Sequence, residues 1–451
     1  MFKKIEIWIL YLTALLSIPL AIIFGSLVRH EMLGGKSWGS LPKTALFLAE
    51  IPSNIKKALP IDYLVAEDRF PLLDGFKGNP NLNESYLLLS RYDGNLKEGI
   101  VELVDLRNFK VLHTWNPDIE EFNKLVEKTD EFKHIDRDNN GSRSMLLHPK
   151  LVKDLSLVFS TAPLMKIDAC SALIFQNQHD IFHHSIETEF NGNMWVPSHS
   201  YPQTLATKKV GRKIPSDLGY NDDSIVKLSS DGKILFEKSV SQIFIENGLE
   251  YLLFSVGGTK FDLDPIHIND IQPVNFDGKF WRKGDVFLSL RHQSMVMLYR
   301  PSTNKIIWKG TGPFFHQHDV DILNDHKISI FNNNSKDFVD GNAVDGKNEI
   351  IIYDFNTNEY SSYLKESLIK NDVRTPTQGR GDVLPNGDLF VEETDYGRTL
   401  YFNADGSLRW THVNRADNQK VYPLGWSRIL YADEDIQIVK NFMDSRGKCN
   451  D

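Results

Sequence analysis

"TLYFNADGSLRW", residues 399–410, is an apolar strand, a polar Asn-Ala-Asp-Gly turn and a second strand ending on tryptophan, the pattern of a β-hairpin. The same form occurs five more times upstream, in "VELVDLRNFKVLHTW" (101–115), "LMKIDACSALIF" (164–175), "IVKLSSDGKILF" (225–236), "VMLYRPSTNKIIW" (296–308) and "IIIYDFNTNEY" (350–360). Their last residues, Trp115, Phe175, Phe236, Trp308, Tyr360 and Trp410, are spaced by 50 to 72 residues. That spacing suits a four-stranded propeller blade with its loops. A further hairpin precedes several copies, in "IETEFNGNMWVPS" (186–198), "VDILNDHKISIFNN" (320–333) and "DVLPNGDLFVEET" (382–394). Two hairpins make four strands, so the chain is expected to be all-β, a six-bladed β-propeller over residues 81–451. A β-sandwich or β-helix is the competing architecture, and neither explains so long a repeat.

Working outward, residues 7–28 contain no charged side chain and follow Lys3 and Lys4. This reads as one N-terminal transmembrane helix, a signal-anchor over residues 1–28, with a cleaved signal peptide as the alternative. The lysines put the N-terminus on the cytoplasmic side, which predicts a single-pass inner-membrane protein with its propeller in the periplasm. Residues 29–80 carry Pro42, Pro52, Pro60 and Pro71 around a short helical stretch at 44–50 and lack the hairpin pattern, as a linker and packing arm would. Residues 203–223 read as a long polar loop. The two cysteines, Cys170 and Cys449, are compatible with one disulfide, and a buried free thiol at Cys170 is the equal alternative. A formal charge of −9 argues against nucleic acid as a partner.

Several of the 14 histidines fall where an innermost strand should begin: His183 and His184, His267, and His316 and His318. The last repeat offers Arg380 at that point. In a propeller such strand starts crowd around one axis, so residues far apart in sequence share one pocket. Arg291 and His292 are expected on the strand after His267, facing opposite ways, so that one points inward. A buried guanidinium needs an anionic partner, either a carboxylate or the oxygens of a sulfate or phosphate ester.

The run from about 266 to 334, "IHINDI … FLSLRHQSMVMLYRPSTNKIIWKGTG … FHQHDVDILNDHKISIFNNN", resembles the core of the bacterial arylsulfotransferases that do not use phosphoadenosine phosphosulfate. Weaker likeness extends over about residues 80–430. The resemblance implies a six-bladed propeller that moves a sulfuryl group from an aryl sulfate to a phenol through a sulfohistidine. It implies His318 as nucleophile, supported by His267, Asn269 and Arg291 and by His184 or His183. Two departures are visible: "NFDGKFWRKG" lengthens the gap from His267 to Arg291, and the His-Asp start of the earlier repeat reads His184-Ser185. No P-loop or dinucleotide fingerprint occurs, and no cofactor or metal is expected. A non-catalytic binding propeller and a metal-dependent hydrolase or lyase built on the histidines remain the other two classes.

Overall fold

The computed structural model describes residues 6–32, 35, 37–58, 64–129, 131–205, 220–255, 262–338 and 341–445. The chain divides into two compact units, Met1–Tyr63 and Leu64–Asp451. In the first, Ile7–Met32 is a single 26-residue helix with none of its side chains buried. At 1.5 Å per residue it is about 39 Å long, enough to cross a bilayer's hydrocarbon core. A second helix, Leu41–Ala58, contains the stretch at 44–50 expected to be helical.

In the second unit the described strands form six antiparallel sheets of four or five strands, the blades of a six-bladed β-propeller, and one separate two-stranded hairpin. Blades 2, 3, 4 and 5 run in sequence order from innermost to outermost strand, starting at Leu147–Leu151, Ile181–Phe182 with Glu187–Thr188, Ile268–Pro273 and Val320–Ile322. Blade 1 takes Tyr86–Asp93, Glu98–Asp105 and Lys110–Trp115, and its innermost strand, Arg428–Leu430, comes from the far end of the chain. Blade 6 starts at Arg380–Val383 and gains a fifth, outermost strand, Gly75–Gly78, paired with Trp410–Val413. Both ends of the unit therefore close the ring, which removes the exposed edges an open sheet would present.

Each of the six hairpins read from the sequence is the outer pair of one blade, and the three upstream hairpins are inner pairs. The blades stack because alternate residues of a strand face opposite neighbours. Tyr86 and Leu88 pack toward blade 2, whereas Leu87 and Leu89 pack toward blade 6. One apolar cluster fills each of the six blade interfaces.

Three features depart from the sequence expectation, and one open alternative, at Cys170, is decided. Gly75–Gly78 lies inside the segment read as a linker, because a four-residue edge strand is too short to show a period. Cys170 sits exposed in a hairpin turn and is disulfide-bonded, which excludes the buried free thiol; Cys449 is outside the described residues. Asp433–Ser445 is a helix that buries Val439 and Phe442 against blades 1 and 2. Blade 5 carries an extra hairpin, Ser335–Phe338 with Gly341–Val344. Most of the loop at 203–223 is outside the described residues.

Candidate functional site

At the start of every innermost strand one residue other than glycine adopts the left-handed backbone region. These are Trp426 (φ 67°), His148 (50°), His184 (55°), His267 (56°), His316 (50°) and Gln378 (51°), for blades 1 to 6 in turn. Such a conformation costs an L-residue on the order of 1–3 kcal/mol and persists only where its surroundings enforce it. It also breaks the period-two alternation, so these side chains leave the blade faces. Their rings meet: centroids are 4.0 Å apart for His148 and Trp426, 5.8 Å for His148 and His184, and 5.2 Å for His184 and His267. His292 continues the chain, 4.6 Å from His267 and 5.9 Å from His316.

The residues two positions further on tie neighbouring blades together. Asn269 Nδ2 donates to the Gln317 carbonyl of blade 5 (2.8 Å). His318 Nδ1 shares a 2.7 Å hydrogen bond with Asn333 Oδ1, and its Nε2 accepts the Gln378 backbone N–H of blade 6 (2.9 Å). Both ring nitrogens of His318 are therefore engaged, and the side chain is buried. His316 differs. Its Nδ1 has no hydrogen-bond partner among the described residues, and its Nε2 lies 3.6 Å from Asp337 on the blade 5 hairpin.

Arg291 and His292 stand in the turn after Val286–Leu290, not on the strand, and both join the cluster. Arg291 Nη1 contacts His292 Nε2 (2.5 Å), and Nη2 donates to the Asn342 amide oxygen (2.7 Å). Arg291 is 6% exposed, and among the described residues no carboxylate forms an ion pair with it. Burial, with Arg291 second, pushes the His316 imidazole down to about 4. Burial pushes His148, His184 and His318 well below the ordinary histidine range and lowers His292. These imidazoles are neutral near pH 7 around a fixed cation, an arrangement suited to an anionic ligand.

Further along the axis the charges are paired. Arg428 donates to Glu187 (2.8 Å), and Arg380 donates to Asp382 (2.8 Å) while lying 3.7 Å from Glu187 and 4.0 Å from Asp319. Arg380, a candidate from the sequence, thus belongs to a buried ion network. His183 lies behind His184, their Nδ1 atoms 2.7 Å apart, with its Nε2 3.1 Å from Asp223 Oδ1. The structure gathers His184, His267, His316, Arg291 and His318 in one cluster, with Asn269 tethering its edge. Sequence reasoning missed His148, His199, Asp223, Asp264, Asn333, Gln378, Asp337 and Asn342. Aligning the six blades on their hairpins would have drawn attention to His148 and Gln378, which occupy the same step as His184 and His267.

A propeller whose axis ends in neutral histidines around an unpaired guanidinium is the class of molecule described. The family model for arylsulfotransferase (ASST) matches residues 151–415, and the chain belongs to that family. Membership supports sulfuryl transfer as its general chemistry. No curated protein sequence matches the chain. Among solved structures it is similar to a protein of unknown function from Bacteroides caccae, at 11% identity over 75% of this chain and 97% of that one, with a TM-score of 0.45. It is also similar to the WD40 β-propeller domain of Doa1, at 11% identity over 83% and 98% with a TM-score of 0.39. Streptogramin B lyase matches at 9% identity over 78% and 96%, with a TM-score of 0.37.

Proposed function

We propose that the protein transfers a sulfuryl group from an aryl sulfate to a phenolic acceptor through a sulfohistidine on the blade 5 rim. The observation that carries this reading is Arg291, a buried guanidinium without a carboxylate partner beside neutral imidazoles. A guanidinium presents parallel N–H donors that match two oxygens of a sulfuryl group. His292 Nδ1 is 2.5 Å from the Asp264 carbonyl, which fixes its proton there and makes Nε2 the acceptor for Arg291. The guanidinium is thereby oriented before any ligand arrives, as electrostatic stabilisation of a transferring group requires.

The family resemblance implies His318 as the nucleophile; His316 is the better supported of the two here. His318 has both nitrogens committed, Nδ1 to Asn333 beside its own blade and Nε2 to Gln378 of blade 6, whereas Asp337 favours the ring proton of His316 on Nε2 and the lone pair on Nδ1. In the first half-reaction an N–S bond forms at His316, the S–O bond to the aryl group breaks, and the phenolate departs as an anion hydrogen-bonded by an imidazole N–H of His184 or His267, taking its proton from solvent. In the second, the acceptor phenol gives its proton to solvent, its oxygen bonds to sulfur, and the N–S bond breaks to return His316. Arg291 and Asn269 support the site, the latter through its tether to Gln317.

The test is transfer of label from an aryl sulfate to the full-length protein. His316→Ala should lose labelling and phenol release by roughly 10⁴-fold or more, the scale of removing a covalent nucleophile. His318→Ala should loosen the blade 5–6 contact yet still label. The reverse result returns the nucleophile to His318, and a wild-type chain that no aryl sulfate labels defeats the reading. We further infer that residues 7–28 anchor the chain in the inner membrane with residues 81–451 in the periplasm. Lys3 and Lys4 before the helix and the disulfide-bonded Cys170 support this. Reporter fusions after residue 64 that are active in the cytoplasm would overturn it.

A further inference from the structure

Behind the rim, three ligand-type atoms on blade 3 converge. His183 Nε2 lies 3.1 Å and His199 Nε2 3.4 Å from the same oxygen, Asp223 Oδ1. Asp223 is fully buried, and neither His183 Nε2 nor Asp223 Oδ1 makes an aligned hydrogen bond. The three ligand atoms thus lie within 4.8 Å of one another with no aligned hydrogen bond at His183 Nε2 or Asp223 Oδ1. The spacing suits a metal: bonds of about 2.0–2.2 Å to nitrogen and oxygen place tetrahedral ligand atoms roughly 3.4 Å apart. The atoms outside the centre are held as well. Asp223 Oδ2 accepts the His267 backbone N–H (2.7 Å), and His183 Nδ1 is 2.7 Å from His184 Nδ1. Partners of this kind orient metal-binding imidazoles and carboxylates.

A second group, Asp264, His267 and His292, is close in composition but already committed. His292 Nδ1 lies against the Asp264 carbonyl and Nε2 against Arg291, each at 2.5 Å, while His267 Nδ1 is 2.6 Å from Asp264 Oδ2. A guanidinium on the ring nitrogen of His292 leaves it no lone pair for a cation. The acidic group Asp319, Asp321 and Asp382 lies beside Arg380, which neutralises it in part.

We propose that His183, His199 and Asp223 bind a divalent transition metal of the zinc class, and that this metal sets the tautomer of His184. Two imidazoles and one carboxylate are a donor set for such ions, with at least one position left for a solvent or substrate oxygen. Metal on His183 Nε2 requires the His183 proton on Nδ1. That proton is donated to His184 Nδ1, so His184 carries its own proton on Nε2. His184 is then a hydrogen-bond donor at the rim, placed to stabilise the negative charge of a departing phenolate. His183, His199 and Asp223 are positioning residues in this scheme. The effect on His184 rests on the sulfuryl-transfer reading, whereas the metal site stands apart from it.

The experiment uses the full-length protein in detergent, stripped with a chelator and titrated with Zn(II), or with Co(II) as a spectroscopic probe. One equivalent should bind, with the visible bands of a low-coordinate Co(II) site. His199→Ala should weaken binding by more than about 100-fold, beyond the roughly 10–100-fold that a change outside the ligand set produces. His292→Ala should still bind one equivalent. A folded wild-type chain that takes up no metal, or equal binding by wild type and His199→Ala, overturns the site and leaves the three residues as an ion triad. The effect on His184 is read from the dependence of transfer rate on the leaving phenol. Metal removal should slow poor leaving groups far more than good ones. An unchanged dependence on a chain shown to have lost its metal overturns the link to His184 while the site remains. Absence of any transfer, with metal bound as expected, counts against the sulfuryl reading and not against the site.

Discussion

Arg291 and Arg380 are both buried guanidiniums near the propeller axis, and they are used in opposite ways. Arg380 is answered by Asp382, with Glu187 and Asp319 close by. Arg291 is answered at contact distance by an imidazole and an amide, both neutral, while Asp337, Asp264 and Asp395 act on it only at longer range. A buried charge without a counter-ion is costly, so a fold that keeps one holds a site for a charge from outside. A buried charge with counter-ions is part of the scaffold. The two can be told apart by asking whether loss of the arginine injures stability or turnover.

The largest expected effect lies in the scaffold. Arg428 donates to Glu187 and to the Ile186 carbonyl, and Glu187 also faces Arg380 and Lys150. Arg428→Ala should lower unfolding free energy by about 3–5 kcal/mol, because Glu187 is left buried with too little positive charge. Chemical denaturation measures it. A change below about 1 kcal/mol, the range of exposed pairs, would mean that water reaches this network.

Arg291→Ala is the counterpart. Transfer should fall by roughly 10²–10³, about 2.7–4 kcal/mol, the scale of removing one preorganised donor to a developing anion. The denaturation midpoint should hold or rise, since burial outweighs the longer-range attraction of Asp337, Asp264 and Asp395 for this charge. Arg291→Lys should restore little, because an ammonium cannot offer two parallel N–H donors. A variant that unfolds readily and turns over normally when folded would make Arg291 a scaffold residue like Arg380.

How far the sequence reveals this arrangement depends on the kind of signal. The outer hairpins were legible because each ends on an aromatic and is split by a polar turn; Trp115, Trp308 and Trp410 anchor blade interfaces. The axis was half legible. Histidines at strand starts could be seen, but not that His184, His267 and His316 are left-handed, since glycine is the residue that normally marks such a backbone. His316 and His318 were inseparable on paper, because period-two spacing gives both one face if the segment is a strand. The strand begins only at Val320, and the turn before it gives the two rings different tasks. Asp223, Asp337 and Asn342 reach the cluster through tertiary folding alone, and no local pattern points to them.

The smallest effect is a shift in pH dependence, and it ties Arg291 to His316 directly. His316 is pushed down to about 4, first by burial and then by the Arg291 charge; Asp337 acts in the opposite sense, and His292 and His267 add to the lowering. Only the neutral ring is a nucleophile, so transfer should stay level from neutrality down to about pH 5 and fall through pH 4. The sign for folding is the same. A histidine with a lowered folded value contributes stability that is present above its unfolded value of about 6.5 and is lost as pH falls toward 4. The acid limb should therefore be checked on protein shown to be folded at each pH. Removing the guanidinium relieves the repulsion that disfavours the imidazolium, so in Arg291→Ala the residual activity should lose its acid limb at higher pH, by roughly half a unit to one unit. Asp337→Asn should move the limb the other way, because the carboxylate that favours the charged ring is gone. If both variants keep the wild-type limb, the group that titrates is not His316, and His318, which lacks a contact with Asp337, becomes the residue to follow.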